Sequence, residues 1–286
     1  METKKIDGTA CAAQIKDELK TEVEKLQLKG ITPGLAVILV GENTASQVYV
    51  ANKKKACAYI GIKSYSYELP KETSEKSLLE LIETLNTDDT IHGILVQLPL
   101  PQHMDSAKVM RTISPKKDVD GFHVENMGAL CIGETGFVCC TPAGIMTLLE
   151  RNHIEVEGRK CVVVGRSHIV GKPIGLLLLQ KNATVTMCHS HTLNLTEELK
   201  QADIIVVAVG KAKMIQGSML KQGAVVIDVG MNRDENGKLC GDVDTASCEG
   251  IASYITPVPG GVGPMTIAML MTNCIQAAKN WKENTF

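Results

Sequence analysis

Aromatic residues are scarce in this chain, with one Trp, three Phe and five Tyr making up 3% of 286 residues. Any ring able to stack on a flat ligand is therefore one of few, and Tyr49 gains interest from that scarcity. Net charge is nearly absent as well: a formal −2 offers no field to draw in nucleic acid or an acidic membrane. No segment reaches the roughly 18 apolar residues that a membrane span needs, and the N-terminal METKKIDGTACAAQIKDELK lacks a continuous apolar stretch. The ten cysteines include no CxxC pair, and Cys139 and Cys140 are adjacent, so neither a disulfide framework nor a zinc framework is visible. A reducing cytoplasm with mostly buried free thiols is the expected setting.

What is present suits an ordinary globular protein: 44% hydrophobic and 22% charged residues over 30.8 kDa, a length that predicts two domains. Ile15, Leu19, Val23 and Leu26 recur at helical spacing before Gly30, predicting a helix from about Ala10 to Leu28. GLAVILVG then reads as a buried strand, Thr44 to Ile60 as a helix stopped by Gly61, and IKSYSYEL and HGILVQLP as further strands. This alternation up to Asp120 predicts a parallel sheet with helices on both faces. TPAGIMTLLERN predicts a helix with Thr141 as its N-cap. After it the pattern restarts as KCVVVG, a helix, ATVTMC, a helix, ADIIVVAVG and AVVIDVG, a second α/β unit with the spacing of a dinucleotide-binding fold. A last helix is expected from Met265 to Trp281.

The chain has no GxGxxG fingerprint and offers Gly165, Ser167 and Gly171 in a GxSxxxG frame instead. The frame follows the strand Cys161 to Val164, and Pro173 suits an early helical turn, so backbone N–H groups there are expected to meet a pyrophosphate. A strand-to-helix turn with glycines for geometry alone is the bland alternative. A carboxylate for the ribose 2′-hydroxyl is also missing, because the stretch where it belongs reads TVTMCHSHT. Ser190 can donate to a phosphate and Arg166 can supply charge, which favours NADP over NAD. His189 and His191 have a spacing that would also suit a metal, but without acidic neighbours the pair is not read as a metal site.

Tyr49 and Lys53 stand four residues apart and share one helix face, while Lys54 and Lys55 turn roughly 100° and 200° away. A Tyr-x-x-x-Lys pair also occurs in short-chain dehydrogenases, where it follows the glycine loop within one domain. Here Tyr49 precedes Gly165, which argues against that family. A solvated, lysine-rich surface helix is the plain alternative. PGGVGPMT, with its glycines and prolines, is expected to be a shaped loop rather than a helix or strand.

The segments ENTASQVYVANKKKACAYIGI, GILVQLPLP, KDVDGFH, GRSHIVGKP, CHSHT and TPVPGGVGPMT occur in one order. In that order the chain, from about Ile6 to Asn280, resembles the bifunctional methylenetetrahydrofolate dehydrogenase and methenyltetrahydrofolate cyclohydrolase family, the FolD type. The resemblance implies two α/β domains with a catalytic cleft between them. Residues 1–139 would form the folate domain, joined by a returning helix 265–286, and residues 140–264 a Rossmann-like NADP domain. It implies Lys53 as the central catalytic group, Gln97 as its modulating partner, Tyr49 stacked on the aminobenzoyl ring and Asp120 on the pterin. It adds Leu98, Pro99, Pro259, Gly260 and Gly261 to the substrate contacts, and it implies a homodimer. A lysine in an apolar cleft has its ammonium disfavoured by desolvation, and a neutral amide can orient it without supplying charge. The bland alternatives are a solvated Lys53, a structural Gln97 and a turn-forming Asp120. An NAD-dependent dehydrogenase without cyclohydrolase activity and a non-enzymatic folate or nucleotide binder are the rival functions.

Overall fold

The computed structural model describes residues 2–283. Along the chain run β1 (Lys4–Lys5), α1 (Gly8–Leu28), β2 (Gly34–Val40), α2 (Thr44–Ile60), β3 (Lys63–Leu69), α3 (Glu75–Thr87) and β4 (Gly93–Val96). Then come α4 (Ser106–Thr112), α5 (Val124–Ile132), α6 (Cys140–Arg151), β5 (Lys160–Val164), α7 (Gly171–Gln180), β6 (Thr184–Cys188), α8 (Leu195–Gln201) and β7 (Ile204–Val207). The last are β8 (Val225–Asp228), β9 (Asn232–Arg233), β10 (Leu239–Cys240), β11 (Tyr254–Ile255) and α9 (Val262–Glu283). No described helix is long and apolar enough to cross a membrane.

Two compact units result. One holds Ala13–Cys140 with Ile267–Phe286, and the other holds Met1–Ala12 with Thr141–Thr266. In the first, a three-stranded parallel sheet has the order β3-β2-β4. Every residue of the central β2 is buried, as its unbroken apolar sequence requires of a strand covered on both faces. Ala36, Ile38 and Val40 of β2 pack with Leu78, Ile82 and Leu85 of α3 and with Ile94 and Val96 of β4. In the second unit, a six-stranded sheet has the order β1-β11-β8-β7-β5-β6, and all its pairings are parallel. Its core joins Val162, Val164, Ile205, Val207 and Val226 to Leu199 of α8 and Ile255 of β11.

The structure differs from the sequence expectation in four places. Residues 2–12 belong with the second unit, because Lys4 and Lys5 pair with Tyr254 and Ile255. A two-residue polar strand has no hydrophobic pattern that could announce it. Helix α1 begins at Gly8, two residues early, because the Asp7 carboxylate accepts the Ala10 N–H at 2.9 Å. Thr141 lies inside α6 rather than capping it, and its hydroxyl meets that of Thr266 at 2.9 Å. PGGVGPMT is not all loop: α9 starts at Val262, and Pro264 is tolerated there because a first-turn residue needs no internal N–H bond. The loop proper is Pro257–Gly261, with a cis Val258–Pro259 peptide. Within it Gly261 has no room for a side chain, since a Cβ would meet Pro257 O at 2.5 Å. The expected extension of the last helix through 284–286 lies outside the described residues.

Candidate functional site

Helix α2 starts where the Asn43 side chain accepts the Ser46 N–H at 3.0 Å and stops at Gly61, whose φ of 95° suits glycine. Between these ends Tyr49, Lys53 and Cys57 follow one another at one-turn intervals. Lys53 is buried, at 7% exposure, and its Nζ donates to Gln97 Oε1 at 2.9 Å. Gln97 directly follows β4, its backbone N–H donates to Ile38 O of β2 at 2.8 Å, and its Nε2 donates to Leu98 O at 2.8 Å. That last bond fixes the amide: with Nε2 committed to a carbonyl, Oε1 faces the lysine. The pair sits at the carboxyl ends of adjacent parallel strands, where the strand order reverses, the usual place for a ligand crevice in such sheets. The other two lysines differ, as their helical angles require. Lys54 pairs with Glu68 at 2.8 Å, and Lys55 is exposed. Tyr49 is about a third open to solvent, at 36%, and burial of the rest pushes its phenol above the ordinary value. Leu98 and Pro99 follow Gln97 through a cis peptide, Leu98 half-buried and Pro99 exposed.

Asp120 occupies a turn tied down from several sides. The Lys117 backbone carbonyl accepts the Ile94 N–H at 2.8 Å, and Asp118 continues alongside β4 as an isolated parallel bridge to Ile94. The buried Asp118 carboxylate accepts the His123 N–H at 2.7 Å and Asn126 Nδ2 at 2.9 Å. Val119 O accepts from Asn273 Nδ2 at 2.9 Å and from the Cys140 thiol at 3.3 Å, while Gly121 O accepts from the Cys139 thiol at 3.0 Å. Gly121 sits at a φ of 76°, and a Cβ there would meet the Cys139 N–H nitrogen at 2.6 Å. Desolvation pushes the Asp120 carboxyl above its usual range, the Lys53 charge opposes that, and the Asp118 charge adds to it. Burial likewise raises both thiols, so Cys139 and Cys140 serve as neutral donors rather than nucleophiles.

In the second unit a cavity of about 260 Å³ opens at the carboxyl ends of β5, β6 and β7, again where the strand order reverses. Gly165, Arg166, His189, Ser190 and Lys211 line it, with no carboxylate among the lining residues. Gly165 has a φ of 124°, and a Cβ on it would lie 2.3 Å from Ala208 O. Gly171 is equally tight, since a Cβ there would lie 2.3 Å from Gly165 O. Ser167 is not a free contact: its hydroxyl accepts the N–H groups of Val170 at 3.2 Å and Gly171 at 3.3 Å, so it shapes the loop from within. A strand end, a glycine crossing, a helix start and two cations without an opposing carboxylate are the donor set that a phosphorylated dinucleotide requires, and the residues fit such a group. The histidine pair is a turn, with His189 Nδ1 accepting the His191 N–H at 3.2 Å. Among the described residues no group of three His, Cys, Asp or Glu could hold a metal ion.

Of the residues singled out from the sequence, the structure brings Lys53 into contact with Gln97 and sets Arg166 and Ser190 in the lining of one cavity. No role was read from the sequence for the residues that tie down the turn carrying Asp120: Lys117, Asp118, Asn126, Asn273, and the two adjacent thiols. Their only sequence signal was Asp118 in KDVDG and the unexplained CysCys pair, and neither has a spacing that names a partner. Pro259, Gly260 and Gly261 belong to the second unit, where Gly260 O accepts the Thr9 N–H at 3.0 Å.

Comparison with known proteins identifies the family. Residues 6–120 match the catalytic domain of tetrahydrofolate dehydrogenase/cyclohydrolase, and residues 139–282 match its NAD(P)-binding domain. The bifunctional protein FolD of Agathobacter rectalis is 61% identical over 274 residues, covering 96% of this chain and 98% of that protein. The crystal structure of the Campylobacter jejuni bifunctional enzyme superposes with a TM-score of 0.96 at 50% identity, covering 97% and 99% of the two chains. The Trypanosoma brucei dehydrogenase-cyclohydrolase, solved with NADP cofactor and an inhibitor, superposes with a TM-score of 0.93 at 39% identity, covering 98% of each. With both domain models matched in order across nearly its whole length, this chain belongs to the tetrahydrofolate dehydrogenase/cyclohydrolase family.

Proposed function

We infer that this protein oxidises 5,10-methylenetetrahydrofolate to the 5,10-methenyl form with NADP and hydrolyses that product to 10-formyltetrahydrofolate, with Lys53 as the central catalytic group. The two activities are those of its family, and bifunctional relatives match it over nearly full length. The single observation that carries the residue assignment is the 2.9 Å bond from buried Lys53 to the oriented amide of Gln97.

Hydride transfer needs placement more than acid or base: bound NADP supplies the acceptor carbon, and the chain has to hold the folate against it. Orientation of that kind can supply several kcal/mol. In this reading Tyr49 gives the aminobenzoyl ring a face, Asp120 accepts N–H bonds from the pterin edge, and Leu98, Pro99, Pro259, Gly260 and Gly261 complete the folate contacts. Hydration then adds water to the methenyl carbon and opens the ring, with one proton released. Lys53 is the group positioned to move that proton, and Gln97 orients it without a counter-charge. Arg166 and Ser190 hold the 2′-phosphate of NADP, supported by the cavity they share and by the lack of a carboxylate there. A homodimer in the cytoplasm, acting on tetrahydrofolate derivatives and on neither nucleic acid nor membrane, completes the reading.

Two substitutions test it. Lys53→Met removes hydration far more completely than hydride transfer, and retained cyclohydrolase activity in the folded variant would take Lys53 out of the mechanism. Arg166→Ala lowers the preference for NADP over NAD by roughly tenfold to a hundredfold, the worth of one charge-assisted phosphate contact. An unchanged preference would remove Arg166 from the 2′-phosphate.

A further inference from the structure

Two buried carboxylates, one of them bonded to the loop that lines the cofactor cavity, belong to no element of the folate or nucleotide assignment. Asp242 is 0% exposed and Asp228 is 1% exposed. Asp242 lies just after β10, and its Oδ2 accepts the N–H groups of Val209 at 2.7 Å and Gly210 at 3.0 Å. Its Oδ1 accepts the Lys211 N–H at 2.8 Å and Asn232 Nδ2 at 2.8 Å. Successive N–H groups converging on one anion form a nest, and Gly210, at a φ of 66°, supplies the left-handed residue that curls the backbone around it. The same segment holds the loop further on, where Lys213 N donates to Gly241 O at 3.1 Å and Ile215 N to Asp242 O at 3.0 Å. Val209, Lys211 and Met214 from this loop line the cofactor cavity.

The seat is built to fit. Asp242 N–H donates to Asp228 Oδ1 at 2.9 Å, and Asp228 also accepts from Gly230 N at 2.9 Å and Val243 N at 2.9 Å. A Cβ on Gly230 would stand 2.4 Å from the Asp242 carboxyl carbon, and one on Gly241 would stand 1.8 Å from Asp228 Oδ2. Both glycines therefore clear space for the carboxylates.

We propose that Asp242 is a positioning residue of the cofactor site: its carboxylate fills the backbone nest at Val209–Lys211 and so fixes the cavity wall that the loop after β7 provides. An anion supplied by the protein replaces one supplied by the ligand, and the N–H groups it gathers orient the wall rather than touch phosphate. Asp242 acts on the wall and not on the 2′-phosphate, so its loss weakens NADP and NAD alike. That distinguishes it from Arg166, whose loss weakens NADP selectively.

The inference rests on the cofactor reading of this cavity, and the test separates the two. Asp242→Asn, Asn232→Ala and Arg166→Ala would be titrated with NADP and with NAD at equilibrium, without folate, and KM values would be measured for NADP and methylenetetrahydrofolate. Asp242→Asn turns one acceptor arm into a donor facing N–H groups, and weakens both nucleotides by about tenfold or more, the worth of a charge-assisted hydrogen bond. The KM for NADP rises with it, while the KM for methylenetetrahydrofolate moves by less than about twofold. Asn232→Ala removes a single bond to the same oxygen and weakens both nucleotides by about threefold. The proposal is overturned if folded Asp242→Asn binds NADP as the parent does, or if the folate KM rises in parallel, which marks general loosening. Should Asp242→Asn fail to fold, unchanged nucleotide affinity in Asn232→Ala overturns it instead. If Arg166→Ala leaves NADP binding intact while Asp242→Asn weakens it, the phosphate reading falls and the positioning role stands.

Discussion

The 2.9 Å contact between Lys53 Nζ and Gln97 Oε1 makes the replacement Gln97→Glu a sharp perturbation, because it changes charge and almost nothing else. Gln97 offers its lysine an acceptor that carries no counter-charge. A carboxylate in the same place would attract the ammonium by about 6 kcal/mol at an effective dielectric near 20. Desolvating the new carboxylate takes back part of this, so about 2–3 kcal/mol of extra stabilisation of the protonated lysine remains. Lys53, proposed above to move the hydration proton, is then held in one state, and the cyclohydrolase rate near neutral pH falls by roughly two orders of magnitude. The assay is the decay of purified methenyltetrahydrofolate followed across a pH series for the parent, Gln97→Glu and Gln97→Ala. The Glu variant regains activity toward higher pH, whereas the Ala variant, losing orientation without gaining charge, is slower with its profile in place. A Gln97→Glu enzyme with the parent's rate and profile would refute the reasoning that Gln97 works as a neutral orienter.

Three further outcomes follow from residues on the same pages of the fold. Lys117, fully buried, donates to Leu85 O at 3.0 Å and Asp88 O at 2.8 Å and lies 4.6 Å from the Trp281 ring centroid. Lys117→Met should cost about 2–4 kcal/mol in urea unfolding, the loss of two charge-assisted bonds and a cation–π contact less the relief of burying an ammonium; no measurable loss would contradict it. Asp228 is pushed up to about 6 by burial, with Asp242 adding to the rise against three backbone N–H donors. A carboxyl whose value is raised by folding contributes stability that is fully present below the unfolded value near 3.8 and is lost as pH rises through about 6. Relative to Asp228→Asn, the parent should gain up to about 3 kcal/mol between about pH 7 and pH 4 in denaturant unfolding, and a constant difference would show that Asp228 does not titrate there. Gly171→Ala places a Cβ 2.3 Å from Gly165 O and should weaken NADP binding by about tenfold or more in direct titration, unlike Gly128→Ala, whose added Cβ meets nothing within 4 Å.

Much of this was legible from the chain because the informative elements are local. The apolar runs of β2, β5 and β7 are continuous, as buried parallel strands require, and they fell where expected. Lys53 stood out from Lys54 and Lys55 by helical angle alone, and the structure gives the three lysines three different environments. What stayed hidden depends on distant pairing. Nothing in Lys4–Lys5 announces a strand partner near residue 254, and nothing in a CysCys pair says that its thiols donate to Val119 and Gly121. Asp242 is hidden for the same reason: its donors lie some thirty residues away in sequence. PGGVGPMT misled because glycine and proline content was read as excluding a helix, whereas a helix's first turn accepts proline without penalty.

The most direct test of the account is an assay of the purified protein with 5,10-methylenetetrahydrofolate, offering NADP and NAD in turn and following reduced cofactor and methenyl product separately. The account predicts reduced NADP with little lasting methenyl signal, and a much weaker response to NAD. Accumulation of methenyl product in step with reduced cofactor would contradict the second activity, and no reduction with either nucleotide would contradict the first.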